Sequence, residues 1–480
     1  MRLLRGVYEG PSAHGILHLA ASVRGAQAVL RALPGENYFP AFYADRRRDG
    51  SLPPLTLSPM WRRPDDTRAP GDLQRDLLRA AGRDGGVRNV LLARSEAALL
   101  SGEEPPGELT LPPHPETGRS PRLLPCGWQV PGMGETEAAE LALEDLVRAH
   151  AAPQPRTAEP TANLFGPLAL GRDAEAEYAE AERLLGLMGV GVNARVPLGA
   201  GEEELSRLTR AWVNVVLYRE VAESATLYLQ DEFGIPRVTT PMVGTSGTGA
   251  ALRAAARVCE LEARTVRQAI WGELSRTAKL PWYARLAPPE VFEDKSVFIF
   301  GDFTYALGLG YALSREVGLR VAGCGTYLTH LARDFAFHAS TFTDAAFASD
   351  DPEEVARRIE GAAPDLLVGT ELEREVAGSL GIPFLPFCPP AGERSFAPRP
   401  LMGYAGSSVL ADALDGALRR VEEPREEAGP PEIPWTEEAL EELAGVPVFL
   451  RGRARRLAEE RARELGSPEV TRAIFLESRL

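Results

Sequence analysis

A chain of 480 residues with a 44% hydrophobic content holds enough apolar material for more than one core, and about three domains is the natural expectation. Its 53 Lys and Arg against 68 Asp and Glu leave a net charge of -15, which argues against the clustered basic face of a nucleic-acid binder. No apolar run reaches the ~18 residues of a membrane span, so the sequence predicts no nucleic-acid partner, no membrane span and a cytoplasmic location.

From the amino terminus, His14 and His18 stand at i, i+4 with no acidic third ligand near them in sequence. The segment Ala152-Pro153-Gln154-Pro155 through Pro160 reads as a break, and so does the Glu-, Pro- and Gly-rich stretch from Glu422 to Pro434. Between them one pattern recurs: apolar strand, glycine-containing turn, amphipathic helix, strand. Strands are expected at Asn163 to Gly166, Val190 to Val196, Trp212 to Tyr218 and Ile235 to Met242, then at Ser296 to Asp302, Gly318 to Gly323, Asp365 to Gly369 and Ile382 to Phe387. Ala181, Leu184, Leu185 and Met188 line one helix face, and Asp351-Pro352-Glu353-Glu354 is a helix start with Asp as N-cap. Such alternation requires parallel pairing, and therefore an α/β fold of repeated doubly wound, Rossmann-like sheets with ligands beyond the carboxyl ends of the strands.

The expected organisation is an N-terminal α/β domain over 1–152, a second over 161–290, a third over 291–421, a linker at 422–434 and a C-terminal helical module over 435–480. In that module Trp435-Thr436-Glu437-Glu438 opens a helix, Val446 to Leu450 interrupts, and Ser467-Pro468-Glu469 is expected to cap the last helix. The run Arg451 to Arg463, interrupted by Glu459 and Glu460, reads as a solvated helix face. Gly244-Thr245-Ser246-Gly247-Thr248-Gly249 allows either a phosphate cradle or a plain tight turn. The cysteines Cys126, Cys259, Cys324 and Cys388 lie too far apart to ligate a complete cluster by spacing.

Six motifs stand in order along the chain: Tyr8-Glu9-Gly10-Pro11, Arg219-Glu220-Val221, Phe300-Gly301-Asp302, Gly369-Thr370-Glu371-Leu372-Glu373-Arg374, Leu401-Met402-Gly403-Tyr404-Ala405-Gly406 and Pro447-Val448-Phe449-Leu450-Arg451-Gly452. With them the chain resembles the B subunits of light-independent protochlorophyllide reductase, a nitrogenase-like family. The resemblance implies a heterotetramer of N-type and B-type subunits that reduces the ring D double bond of a tetrapyrrole substrate. It also implies a separate ATP-hydrolysing L-type iron–sulphur protein, ferredoxin-dependent, which binds the ATP and delivers electrons singly. A 4Fe-4S cluster shared with the partner subunit would be held by three N-type cysteines and one carboxylate from this chain.

By that resemblance Glu36 is the metal ligand, standing where the family has an aspartate, and Tyr38, Met402, Gly403 and Tyr404 are substrate-binding residues. The resemblance also exposes departures. The family's proton-donating aspartate falls at Pro288, which has no proton to give, leaving Glu290, Glu293 or Asp302 as substitutes. Tyr305 stands for a usual histidine, another histidine is replaced around Ala391-Gly392, and Ser95 stands where the family commonly has a cysteine. These changes leave open a diverged paralogue: a subunit of another nitrogenase-like reductase, or a non-catalytic tetrapyrrole-binding or assembly scaffold.

Overall fold

The computed structural model describes residues 7–33, 35–36, 53–60, 73–83, 85–107, 109–169, 171, 173–276, 292, 294–389, 398–422, 433–444 and 448–478. They form two compact units, Met1–Arg420 and Val421–Leu480. Pro288, Glu290, Glu293, Tyr38 and Ala391-Gly392 lie outside the described residues.

The larger unit contains three sheets, each wholly parallel among the described residues. The first has the order β2-β1-β3-β4, from β1 (Ala26–Ala32), β2 (Leu55–Pro59), β3 (Asn89–Arg94) and β4 (Arg122–Leu124). The second repeats this order as β6-β5-β7-β8, from β5 (Thr161–Phe165), β6 (Gly191–Val196), β7 (Val213–Val216) and β8 (Arg237–Val238). The third runs β11-β10-β9-β12-β13, from β9 (Ser296–Gly301), β10 (Arg320–Thr326), β11 (Ala346–Ala348), β12 (Leu366–Val368) and β13 (Phe384–Leu385).

Central strands are buried on both faces because helices cover both. In the first sheet the strand period of two is explicit: Ala28, Leu30, Leu91 and Ala93 enter the large core, while Val29, Val90 and Leu92 pack with Leu77 and Ala80 on the opposite face. Strand β8 is shorter than its apolar run, because Pro236 and Pro241 flank it and lack the N–H a ladder needs. The helix Pro352–Ala362 begins as its sequence dictates, with the Asp351 carboxylate accepting the Glu353 N–H at 2.9 Å.

The helix Gly244–Val258 resolves the glycine-rich segment differently from both sequence alternatives. Gly244, at φ +74, opens a helix whose first N–H groups are taken by a side chain: Thr245 and Ser246 donate backbone N–H to Glu316 at 2.9 and 2.8 Å.

The joints between sheets are made by buried carboxylates. The helix Arg219–Phe233 leaves β7 and the helix Phe303–Ala312 leaves β9, and their amino ends are laced together. Glu220 accepts the Thr304 N–H at 3.0 Å and the Thr304 hydroxyl, while the Arg219 N–H donates to Thr304 Oγ1 at 3.1 Å. The Tyr218 hydroxyl in turn donates to Asp302, whose other oxygen accepts the Tyr305 N–H at 3.0 Å. Glu140, on the helix Glu135–His150, accepts the N–H and hydroxyl of Ser224 at 3.0 and 2.6 Å, tying the first sheet's helix layer to the second's. Close approach completes the third sheet: a Cβ on Gly301 would lie 2.2 Å from the Cys388 Cβ.

The smaller unit packs the helices Glu437–Ala444, Val448–Glu464 and Arg472–Glu477 around Ala439, Ala458, Ala462, Ile474 and Phe475. Its last helix is capped by Thr471 rather than at Ser467, whose hydroxyl closes a local turn onto the Glu469 carbonyl at 2.7 Å while Val470 pairs with Trp435. The charged helix is laced by Arg455–Glu459, Arg461–Glu464 and Arg463–Glu459 ion pairs.

Glu220→Ala leaves the buried N–H and hydroxyl of Thr304 without their acceptor, and should destabilise the larger unit by about 3 kcal/mol. Urea unfolding with unchanged slope and a shifted midpoint is the expected record; a shift below ~0.5 kcal/mol would make the lacing energetically idle.

Candidate functional site

In an open parallel sheet the crevice for a ligand forms where neighbouring strands send their connections to opposite sides. Each of the three sheets has such a switch, between β1 and β3, between β5 and β7, and between β9 and β12. The second and third are filled by the chain itself. At the third, Gly369-Thr370 follows β12 and Glu373 folds back to accept the Thr370 N–H at 2.7 Å and hydroxyl at 2.8 Å. Tyr8 donates its hydroxyl to the same carboxyl at 2.5 Å and stacks on Tyr327 with centroids 5.4 Å apart. Asp302, at the end of β9, meets Tyr218 from the end of β7.

The switch of the first sheet is arranged otherwise. Glu36 follows β1 and Ser95 follows β3, so the two residues face each other across the crevice. Ser95 Oγ donates to Glu36 Oε2 at 2.7 Å, and the Leu33 N–H donates to the same oxygen at 2.7 Å. Among the described residues no donor reaches Oε1. Glu36 is partly exposed, whereas Ser95 is buried and fixed, its N–H on the Arg31 carbonyl at 2.9 Å and its oxygen capping the helix Glu96–Leu100 through the Ala98 N–H at 3.3 Å.

This donor set suits one ligand of a shared metal–sulphur group. A carboxylate with one oxygen held and the other given no donor by the described residues offers a single hard ligand. The cysteines offer none, since all four are buried, and burial pushes the Cys126, Cys259 and Cys324 thiols up, away from the thiolate that binds iron.

The remaining sequence candidates fall elsewhere. Asp302 is fully buried and serves as a helix cap; burial and the neighbouring Glu220 push its carboxyl well up. Tyr305 donates its hydroxyl to Glu177 at 3.0 Å. The same Glu177 accepts the Leu401 and Met402 N–H groups at 2.8 and 2.9 Å, and Gly403 sits at φ +75 where a Cβ would lie 2.3 Å from Glu180. Met402 and Tyr404 are fully buried within this chain, and the Tyr404 hydroxyl has no hydrogen-bond partner among the described residues. Glu135 comes within 3.9 Å of His14, an acid that sequence distance hid, yet no three-ligand metal group forms among the described residues. The sequence reading also missed the Ser95–Glu36 contact. Its only trace was that both residues follow an apolar run, the position where α/β crevices form.

Comparison with known proteins fits this geometry. Residues 129–419 match the family described as nitrogenase component 1 type oxidoreductase, and residues 435–479 match the proto-chlorophyllide reductase 57 kD subunit. A solved structure described as Nitrogenase Cp1 at pH 6.5 has the same fold, with a TM-score of 0.66 at 14% identity over 89% of this chain and 96% of that one. The class is thus a nitrogenase component 1 type oxidoreductase. The B subunit of light-independent protochlorophyllide reductase from Methylobacterium radiotolerans is 31% identical over 98% of both chains, and that from Methylocella silvestris is 32% identical over 98% of this chain and 97% of its own. The chain belongs to the family of light-independent protochlorophyllide reductase B subunits. No helix among the described residues is long and apolar enough to cross a membrane.

The closed switch carries its own pH signature. Burial pushes the Glu373 carboxyl up from 4.5 to about 7, against the Tyr8 and Thr370 donors that favour its ionised form. The folded chain therefore keeps a proton that the unfolded chain releases, and this stability contribution falls as pH rises from about 4.5 to about 7. Unfolding midpoints of wild type and Glu373→Gln, followed from pH 5 to 8, should separate in the variant's favour as pH rises. A constant offset would mean the carboxyl is ionised in the fold.

Proposed function

We propose that this chain is the B-type half of a heterotetramer that reduces the ring D double bond of protochlorophyllide or a related tetrapyrrole. An N-type subunit is its partner, and a separate L-type iron–sulphur protein, ferredoxin-dependent and ATP-hydrolysing, is the electron source. The observation that carries the reading is Glu36, held by one oxygen at the first sheet's switch point with the other given no donor by the described residues. Three cysteines of the partner and Glu36 would hold a 4Fe-4S cluster, which supplies single electrons when bound.

The protons are the chain's harder task, since each electron added to the substrate calls for one. Pro288 stands at the expected donor position and Asp302 is spent on the joint, which leaves Glu290, Glu293 or a carboxyl of the substrate itself as the acid. That same loss favours a second reading: a diverged paralogue that binds tetrapyrrole, or serves another nitrogenase-like reductase, without this reduction. In the Leu401 to Tyr404 turn, Tyr404 is the residue with a polar atom to offer a pigment, because its hydroxyl is buried without a partner among the described residues. Met402 contributes apolar packing behind it.

Anaerobic co-purification with the N-type partner, followed by iron and pigment analysis, tests the proposal. Wild type should carry cluster iron that Glu36→Ala loses while its thermal unfolding stays unchanged; equal iron in both would return Glu36 to a turn residue. Pigment titration should show Tyr404→Phe binding about tenfold more weakly, the worth of one hydrogen bond. If the variant instead gains stability and binds equally, the hydroxyl is a plain buried orphan. Pigment binding without turnover would favour the paralogue.

A further inference from the structure

Ser95 is tied down more completely than a helix cap requires. Its oxygen already accepts the Ala98 N–H at 3.3 Å, so the hydroxyl proton is left to point across the crevice, where it reaches Glu36 Oε2 at 2.7 Å. The Leu33 N–H occupies the same oxygen from the other side at 2.7 Å, and the Glu36 N–H closes the turn onto the Leu33 carbonyl at 3.1 Å. A glutamate has one more rotatable bond than an aspartate and, left alone, samples several carboxylate positions. Two donors on Oε2 restrict that freedom, and among the described residues Oε1 is the carboxylate atom left without a donor.

We propose that Ser95 is a positioning residue for Glu36: its hydroxyl fixes Oε2 so that Oε1 alone is presented as a one-oxygen ligand to iron. This rests on the reading of Glu36 as a cluster ligand. Glutamate and serine at these positions then act as one unit, the hydroxyl supplying the order that the longer side chain lacks. A hydrogen bond to a ligating carboxylate also withdraws electron density from it, so the pair sets the potential of the group it holds as well as its retention.

The test uses the complex with the N-type partner. Ser95→Gly is the principal variant, because glycine removes the hydroxyl while remaining nearly as good a helix N-cap; Ser95→Ala, which keeps the Cβ and removes the hydroxyl alone, is run beside it, and Ser95→Thr restores the donor. Three readouts are taken: iron loss under chelator, the midpoint potential, and the electron paramagnetic resonance spectrum of the reduced complex. The glycine and alanine variants should lose iron about tenfold faster, as is usual when a partner of a metal ligand is removed. Their potential should move more negative and their spectrum change, with threonine returning all three toward wild type. A glycine variant with wild-type iron loss, potential and spectrum would reduce Ser95 to a helix cap, provided Glu36→Ala in the same series loses its iron. If Glu36→Ala keeps its iron, the ligand reading itself fails and takes this one with it.

Discussion

A carboxylate taken out of water must find donors, and in this chain the donors come from a neighbouring layer. Glu220, Glu140 and Glu177 each sit on one α/β layer and accept backbone N–H groups from another segment of the unit, at Thr304, Ser224, and Leu401 and Met402. Two of these receivers stand at the amino ends of helices, where the first N–H groups have no partner within the helix. There an unmatched carboxylate corrects an unmatched helix end. The result is directional in a way apolar packing is not: a sliding of one layer by a few ångström would strand both groups at once.

This explains which parts of the structure were legible in the sequence. The parallel alternation follows from strand and helix periods, and the strands β5 to β10, β12 and β13 fall on runs that could be read directly, whereas the three-residue β11 at Ala346–Ala348 is too short to show as one. Five of the six motifs that carried the family resemblance prove to be the parts of these joints and of the closed crevice: Tyr8 with Glu373, Glu220 with Thr304, Asp302 with Tyr218, and Leu401 to Tyr404 with Glu177. What could not be read is which partner each finds, since Tyr8 and Glu373 lie 365 positions apart. Nor does a one-dimensional pattern distinguish a turn glycine from a helix start whose anion arrives from Glu316. The site was legible only by resemblance. Spacing offers no hint that Ser95 and Glu36, 59 positions apart, share a proton donor and acceptor.

The same rule separates joint from site. At the second and third sheets the crevice residues satisfy one another, which makes those ends rigid and chemically quiet. At the first sheet the described residues satisfy only one oxygen of the Glu36 carboxylate, and in the proposed complex a partner subunit would complete the other side. The buried thiols fit the proposed division, in which sulphur ligation falls to another chain and this chain would supply the oxygen.

The helix at Gly244 has a consequence for nucleotides. Glu316 is bound into the same chain as the N–H groups it fills, so it competes with dissolved anions at the effective concentration of a tether rather than that of a solute. A phosphate entering there would have to evict a carboxylate that cannot diffuse away and would then face its charge at close range. The glycine-rich segment, which has the look of a nucleotide loop when written as letters, is self-inhibited as an anion receptor.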